Sequence, residues 1–571
     1  MIDLQALKEK AGEEARAFLK NETEYRMAFL DAEQPHPLTK NLSYTYQKNT
    51  REGISMLFSV DVAMAERAAK MLETPEYAAF ADAIRKTLKN GGRVIFSGCG
   101  SSGRLSMRLE QSWRNAILKL CDRYPAHKDT LMEKIEQVGN IMTGGDYAII
   151  RAAESFEDST LLGEAQAAEW SFCEKDLLVG VTATGETTSI LGSAIGALRS
   201  GASVFMLICS DPTPLPDKME RARKVYHHPA CRYLYLDCGP MALTGSTRMQ
   251  SSTYEQFAAA VALEWALSDL LSSLGVREET PDYATLGKEF WKLTQAVGSP
   301  SCLSLLAELT EREQAVYEKG GLVTLFSDGC LMDVLTDTTE RAPTFMTPPF
   351  CSSEMKDQPE SWAFVKNPTC STHEAWQKCF LRAPRCIEWE RKRYEEMGLN
   401  AKQIEKIPQI DSAALEKYRI GNEPMPSRLT DPCLAMWVDV EDAPEEFYTA
   451  ASAFSEHLIL TPAMAGVTFF PTNMDLFEHL GLKIMLNVLS TGVMARMGRI
   501  TGNWMTNVAM SNKKLIDRSA RIVSDVCNIS YESAMEEIYY SRAILEAEGK
   551  RSSPTQHAIA RLTQKSTEKE I

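Results

Sequence analysis

The chain has 571 residues, 44% of them apolar and 24% charged, and carries a net charge of −15. That length suits roughly two to four domains with sizeable cores, and the acidic balance, without any clustered run of Lys and Arg, argues against nucleic acid as a partner. The 14 cysteines include no C-x-x-C pair and no Cys/His spacing suited to zinc, so neither a metal nor a cofactor is expected, and scattered thiols fit a reducing compartment.

The first 20 residues are amphipathic and of mixed charge, with no apolar signal core. Residues 1–90 read as mostly helical, with apolar positions three and four apart around 60–88 and a break at Pro35 and Pro37. From residue 93 short apolar runs alternate with helical stretches. The runs at 93–97, 177–182, 202–209 and 232–237 each end in Gly, Thr, Ser or Pro, the pattern of parallel strands in βαβ units. Ligands of such sheets bind beyond the carboxyl ends of the strands. The most apolar helical stretch, 257–274, contains Glu264 and Asp269 and is too short to cross a membrane. A second, weaker series of strands is expected at 322–326, 435–440, 457–460 and 467–470, with an irregular stretch over 340–425. From residue 482 onward the chain reads as helices, with a frayed polar tail after Arg551. A cytoplasmic protein with no membrane contact is expected.

Four motifs stand at strand ends. Ser97-Gly98-Cys99-Gly100-Ser101-Ser102-Gly103-Arg104 combines glycines that admit a close ligand with two hydroxyls, although a tight strand-to-helix turn would look the same. Thr182-Ala183-Thr184-Gly185-Glu186-Thr187-Thr188 precedes a helix. Its hydroxyls, with the unpaired N–H groups of a helix start, make a phosphate cradle without cations, and four threonines exceed what an N-cap needs. Gly144-Gly145-Asp146-Tyr147 leads to Glu154 and Glu157-Asp158-Ser159, where a carboxylate could serve as acid or base or simply form a solvated face. Gly239-Pro240 and residues 243–249 enter a helix through Ser/Thr caps, which structure alone explains.

The TATGET run at 182–187 looks like the S-x-S-G-E-T phosphate loop of sugar isomerase (SIS) domains, and CGSS at 99–102 resembles their first loop. GCGSSGRL, GGDYAIIRAAESFEDS, GPMALTGSTRM, LNVLSTGVMARMGRITGNWM and SNKKLIDRSARIV resemble N-acetylmuramate 6-phosphate etherases and the related glucokinase regulatory protein. Pro37-Leu38-Thr39 with Leu42 resembles the entry segment of that branch. The etherases carry one such domain per chain and the regulatory protein two. Here GSTRM at 245–249 and LSTG at 489–492 lie about 240 residues apart, whereas they adjoin in the etherases.

This resemblance implies an α/β fold of two doubly wound parallel-sheet SIS domains in tandem, flanked by helical segments. The expected divisions are 1–50 for the N-terminal helices, 51–275 for the first domain with its phosphosugar site, 276–500 for a second, degenerate domain, and 501–571 for the C-terminal helices. The implied phosphosugar contacts are Gly100, Ser101, Ser102, Thr182, Thr184, Gly185, Thr187 and Lys514, with Glu157 at the position of the second etherase glutamate. The first etherase glutamate aligns with Ser112, and Glu110 lies about 200° round the helix. Lysine of the etherase motif is Gln250 here. Phe326-Ser327-Asp328-Gly329 stands where a Gly-rich loop is expected in the second domain, which has no matching Thr loop. The implied function is a phosphosugar-binding sensor or regulator. The alternative is an etherase-like lyase or phosphosugar isomerase, and no particular protein partner is implied.

Overall fold

A computed structural model describes residues 3–278, 280–351, 358–508, 510–550 and 552–569. Among them the strands form two wholly parallel sheets. The first comprises β1 (Val94–Gly98), β2 (Val138–Met142), β3 (Leu177–Val181), β4 (Ser203–Ile208) and β5 (Cys231–Tyr235), in the order β2-β1-β3-β4-β5. The second comprises β6 (Leu322–Phe326), β7 (Ala363–Lys366), β8 (Cys433–Val438) and β9 (Glu456–Leu460), in the order β7-β6-β8-β9. The second sheet thus repeats the first four places of the first. Val94 faces Val138 on one side and Leu177 on the other, so the strand order reverses at β1. β1, β2 and β3 are buried along their whole length, as strands covered by helices on both faces must be.

Six helices border the crevice between the two halves: α1 (Gly100–Arg123), α2 (Thr188–Arg199), α3 (Gln250–Ser273), α4 (Leu331–Phe345), α5 (Leu476–Arg496) and α6 (Lys513–Cys527). The tandem α/β architecture matches the sequence reading, with four corrections. β2 and β7 were not expected: V-G-N-I-M carries weak strand formers and A-F-V-K is only four residues long, yet each completes a sheet by pairing with a strong strand. Residues 467–470 form no strand, and the stretch 340–425 holds β7 and the helix Thr372–Phe380. The tail is a helix, Pro554–Lys569. It is anchored where the Ser553 hydroxyl donates to the carbonyls of Thr506 and Val508 at 3.2 and 2.9 Å.

Two polar seams join the halves. At the first, Arg248 donates to Ser490 Oγ at 2.7 Å, Thr491 Oγ1 at 2.9 Å and Asp337 Oδ1 at 2.9 Å, while Lys483 Nζ donates to the Arg248 carbonyl at 2.9 Å. The GSTRM and LSTG motifs are therefore neighbours in space, although Arg248 and Ser490 are 242 residues apart. At the second, Arg382 and Arg385 from the second half reach Glu110 and Asp146 of the first. Charges buried at such seams are tolerable only when their hydrogen bonds are met, and here most of them are.

Candidate functional site

The site begins with close packing of strand on helix. A Cβ on Gly103 would meet Met142 Sδ at 2.1 Å and the Gly98 carbonyl at 2.8 Å. Only glycine there lets α1 start directly at the end of β1. The turn after β3 depends on Gly185, whose φ of +75° is left-handed and whose carbonyl accepts from the Tyr226 hydroxyl at 2.7 Å. Thr187 precedes α2 but makes no side-chain cap; its hydroxyl pairs with that of Thr182 at 3.0 Å. Because β1 and β3 flank the reversal point, α1 and α2 open into the same crevice.

That crevice holds a cavity of about 180 Å³, lined by Gly100, Ser101, Ser102, Thr182, Thr184, Thr187, Glu157 and Lys514 among others. The structure therefore gathers the residues singled out in the sequence, with the exception of Gly185, which forms the turn behind the cavity wall. Lys514 arrives from the first turn of α6. The Asn512 side chain caps that helix by accepting from the Leu515 N–H at 2.9 Å. Lys514 Nζ lies 3.2 Å from Glu186, which Arg221 also grips at 3.1 Å. Burial opposes ionisation of Glu186, yet Lys514 and Arg221 hold its carboxyl below the usual range. Farther along α6, Arg518 and Arg521 bind the buried Glu33 at 2.5 and 2.6 Å. Burial disfavours that charge too, but the two guanidiniums keep it well below the ordinary carboxylate range. The N-terminal segment thus positions the C-terminal helix over the pocket.

Four lining residues escaped the sequence reading in different ways. Arg104 was legible, one helical turn beyond Ser101. Thr247 and Arg248 belong to the loop that caps alone explained. Glu340 carried no signal: it comes from α4 of the second half, enters the same cavity, and lies 3.7 Å from Arg104. The cavity is thus composite, with carboxylates from both halves.

The aligned position of the first etherase glutamate does not join it. Ser112 lies ten residues beyond Ser102, about 15 Å along the helix, and accepts from Arg108 at 3.2 Å. Glu110 is also elsewhere. Burial opposes its charge, but Arg382, Arg385 and Arg114 hold its pKa at about 2. Asp146 serves that same seam.

At the reversal point of the second sheet an internal carboxylate occupies the turn. Asp439, just beyond β8, accepts from Ser327 Oγ at 2.9 Å and from the N–H groups of Asp328 and Cys330 at 3.0 and 3.2 Å. These are the groups that would meet an anion before α4. Nearby, Cys330, Asp333 and His479 offer ligand atoms within 4.8 Å of one another. Asp333 Oδ2 already takes His479 at 3.0 Å and the Arg108 guanidinium at 3.2 Å, so a dication there would face a cation.

Fold and cavity together define an α/β protein with two parallel sheets and a polar crevice at the strand ends of the first, and comparison with known proteins adds its relatives. Residues 77–196 match the family model of the glucokinase regulatory protein N-terminal SIS domain. N-acetylmuramic acid 6-phosphate etherase of Photobacterium profundum is 35% identical over 182 residues, 32% of this chain and 52% of that protein. The Aeromonas hydrophila etherase is 30% identical over 210 residues, 37% of this chain and 61% of that protein. The matched stretches thus span little more than half the length of these relatives. Among solved structures, the C-terminal domain of glucosamine-fructose-6-phosphate aminotransferase from Francisella tularensis has a TM-score of 0.40 at 10% identity, covering 79% of this chain and 97% of that one. Tagatose-6-phosphate ketose/aldose isomerase from Escherichia coli has a TM-score of 0.37 at 10% identity, covering 77% and 93%. This chain is an SIS-domain protein that resembles the etherases and the regulatory protein. No helix among the described residues is long and apolar enough to cross a membrane.

Proposed function

We propose that this protein binds a phosphosugar in the composite cavity and works as a sensor or regulator, with residues 51–275 as the binding domain and 276–500 as a domain whose own site is closed. The observation that carries this reading is the convergence of two helix N-termini, the hydroxyls of Thr182, Thr184 and Thr187, and Lys514 on one cavity. Helix starts offer N–H donors and a partial positive charge, and Lys514 adds a full one. Ser101 and Ser102 then face the sugar, and Glu157 and Glu340 accept from its hydroxyls. Lys514 links occupancy to the placement of α6, which supports a signalling role.

A second reading, a carbon–oxygen lyase, draws on Glu340. Eliminating lactate from N-acetylmuramate 6-phosphate takes a base at C2 and an acid at the ether oxygen, and Glu157 with Glu340 supplies two carboxylates where the sequence offered one. One experiment separates the readings. The protein is incubated with N-acetylmuramate 6-phosphate while lactate is assayed and the thermal midpoint is followed. Stabilisation without lactate supports the sensor; lactate release that Glu157→Gln abolishes establishes the lyase. A ligand at 100 times its Kd stabilises by about 2.7 kcal/mol, so binding is readily seen.

A further inference from the structure

Behind the cavity wall lies a titratable group that takes no part in the phosphosugar contacts. Ser102 lines the cavity, and its hydroxyl contacts Glu255 Oε2 at 3.2 Å. Glu255 sits on α3 with 0% of its surface exposed, and its second oxygen, Oε1, meets no N–H or O–H donor among the described residues, only the weak thiol donor of Cys209 facing the carboxyl. A carboxylate so placed lacks both water and a full set of donors, an arrangement that favours the neutral acid. A serine hydroxyl has one proton to give. If Glu255 is protonated, its O–H donates to Ser102 Oγ and the serine proton turns to the cavity. If Glu255 is ionised, Ser102 must donate to it and presents only lone pairs to the ligand.

We propose that Glu255 is a positioning residue for the cavity: protonated, it sets Ser102 as a donor toward an anionic phosphosugar; ionised, it withdraws that donor and adds a like charge behind it. This rests on the phosphosugar reading of the cavity. The groups facing Glu255 are few. Ser102 comes from α1, the Cys209 thiol from the end of β4, and Lys483 from α5. Cys209 is itself beside Cys238, and Lys483 beside Asp61. Burial is the largest influence and pushes Glu255 up to about 8, with Ser102, Cys209 and Lys483 pulling the other way. The acid therefore titrates just above neutrality. Ligand affinity should be full below pH 7 and fall as pH rises through 8.

The test is calorimetric binding of N-acetylglucosamine 6-phosphate, and of inorganic phosphate, to the full chain at pH 7, 8 and 9. A sugar phosphate has its second pKa near 6, so the charge of N-acetylglucosamine 6-phosphate is nearly constant over this range and the pH slope is read on that probe. Wild-type affinity should drop about tenfold between pH 7 and pH 9, the limit for one linked proton with this midpoint. Glu255→Gln keeps an N–H donor toward Ser102 and no charge. It should bind as the wild type does at pH 7 and hold that affinity within about twofold to pH 9. Burial also pulls the Lys483 ammonium down to about 8, and the glutamine variant separates its effect from that of Glu255. Should Glu255→Gln fail to fold, Ser102→Ala carries the test, with weaker binding and a lost pH slope expected. A flat wild-type profile, or a variant that keeps the wild-type slope, overturns the proposal while leaving the phosphosugar reading intact. Failure of both probes to bind at any pH overturns both.

Discussion

Lys514 Nζ lies 3.2 Å from Glu186 Oε1 across 328 residues of chain. Glu186 belongs to the turn of the Thr-rich loop and Lys514 to α6, so a helix from beyond residue 500 reaches back to the pocket of the first half. Arg221 holds the other oxygen of Glu186 at 3.1 Å. A bound phosphate would compete with Glu186 for Lys514, and that competition is a physical route by which ligand could move α6.

The Lys514–Glu186 pair should therefore show measurable coupling. A double-mutant cycle of Lys514→Met and Glu186→Gln, read by urea unfolding, should give an interaction energy of about 1–3 kcal/mol in the stabilising sense, as expected for contacting charges in one network. With N-acetylglucosamine 6-phosphate present the coupling should shrink, because the ligand takes over Lys514. A coupling unchanged by ligand would separate Lys514 from the site.

Replacing Thr184 and Thr187 together by valine keeps shape and removes two hydroxyls from the loop. Each lost hydrogen bond to a charged group costs about 1.5–3 kcal/mol, so affinity for phosphosugar should fall at least about a hundredfold. Circular dichroism should be unchanged. Wild-type affinity in the double variant would relocate the site.

Asp439 should be removable at a cost that an anion can offset. Asp439→Gly leaves the N–H groups of Asp328 and Cys330 without their acceptor, at about 1–3 kcal/mol for each buried donor. Added inorganic phosphate should then raise the melting temperature of the variant more than that of the wild type. Equal shifts in both proteins would mean that Asp439 fills no anion position.

Acid stability should report the seam between the halves. Glu110 has a folded pKa of about 2 against an ordinary 4.5. Because its pKa is depressed, the stability it contributes is complete above pH 4.5 and is lost as pH falls through 2. The difference corresponds to roughly 3 kcal/mol at neutral pH for this fully buried group. Glu110→Gln should lose that amount at pH 7 and show a flatter urea midpoint between pH 5 and pH 2.5 than the wild type.

Much of this molecule was legible before folding. The runs at 93–97, 177–182, 202–209 and 232–237 had the apolar content and turn residues of parallel strands, and all became strands; the first three are largely buried because both faces of the sheet demand apolar side chains, while 232–237 became the partly exposed edge strand β5. CGSS and TATGET, which the fold brings to one cavity, were legible as strand-to-helix loops because a helix start after a strand, rich in Gly and hydroxyls, is a local feature carried by adjacent residues. Strands β2 and β7 were not, since Gly139, Asn140 and a four-residue run become strands only when β1 and β6 offer an edge. Nor could local pattern choose among acidic residues: Glu110 and Asp146 went to arginines of the other half, and Glu157 went to the cavity. Glu340, Arg248, Asp439 and Glu255 acquire their places only through packing of segments tens to hundreds of residues apart. Motifs with local geometry are written in neighbouring residues, whereas the charge environment of a side chain is set by whatever the tertiary fold brings against it.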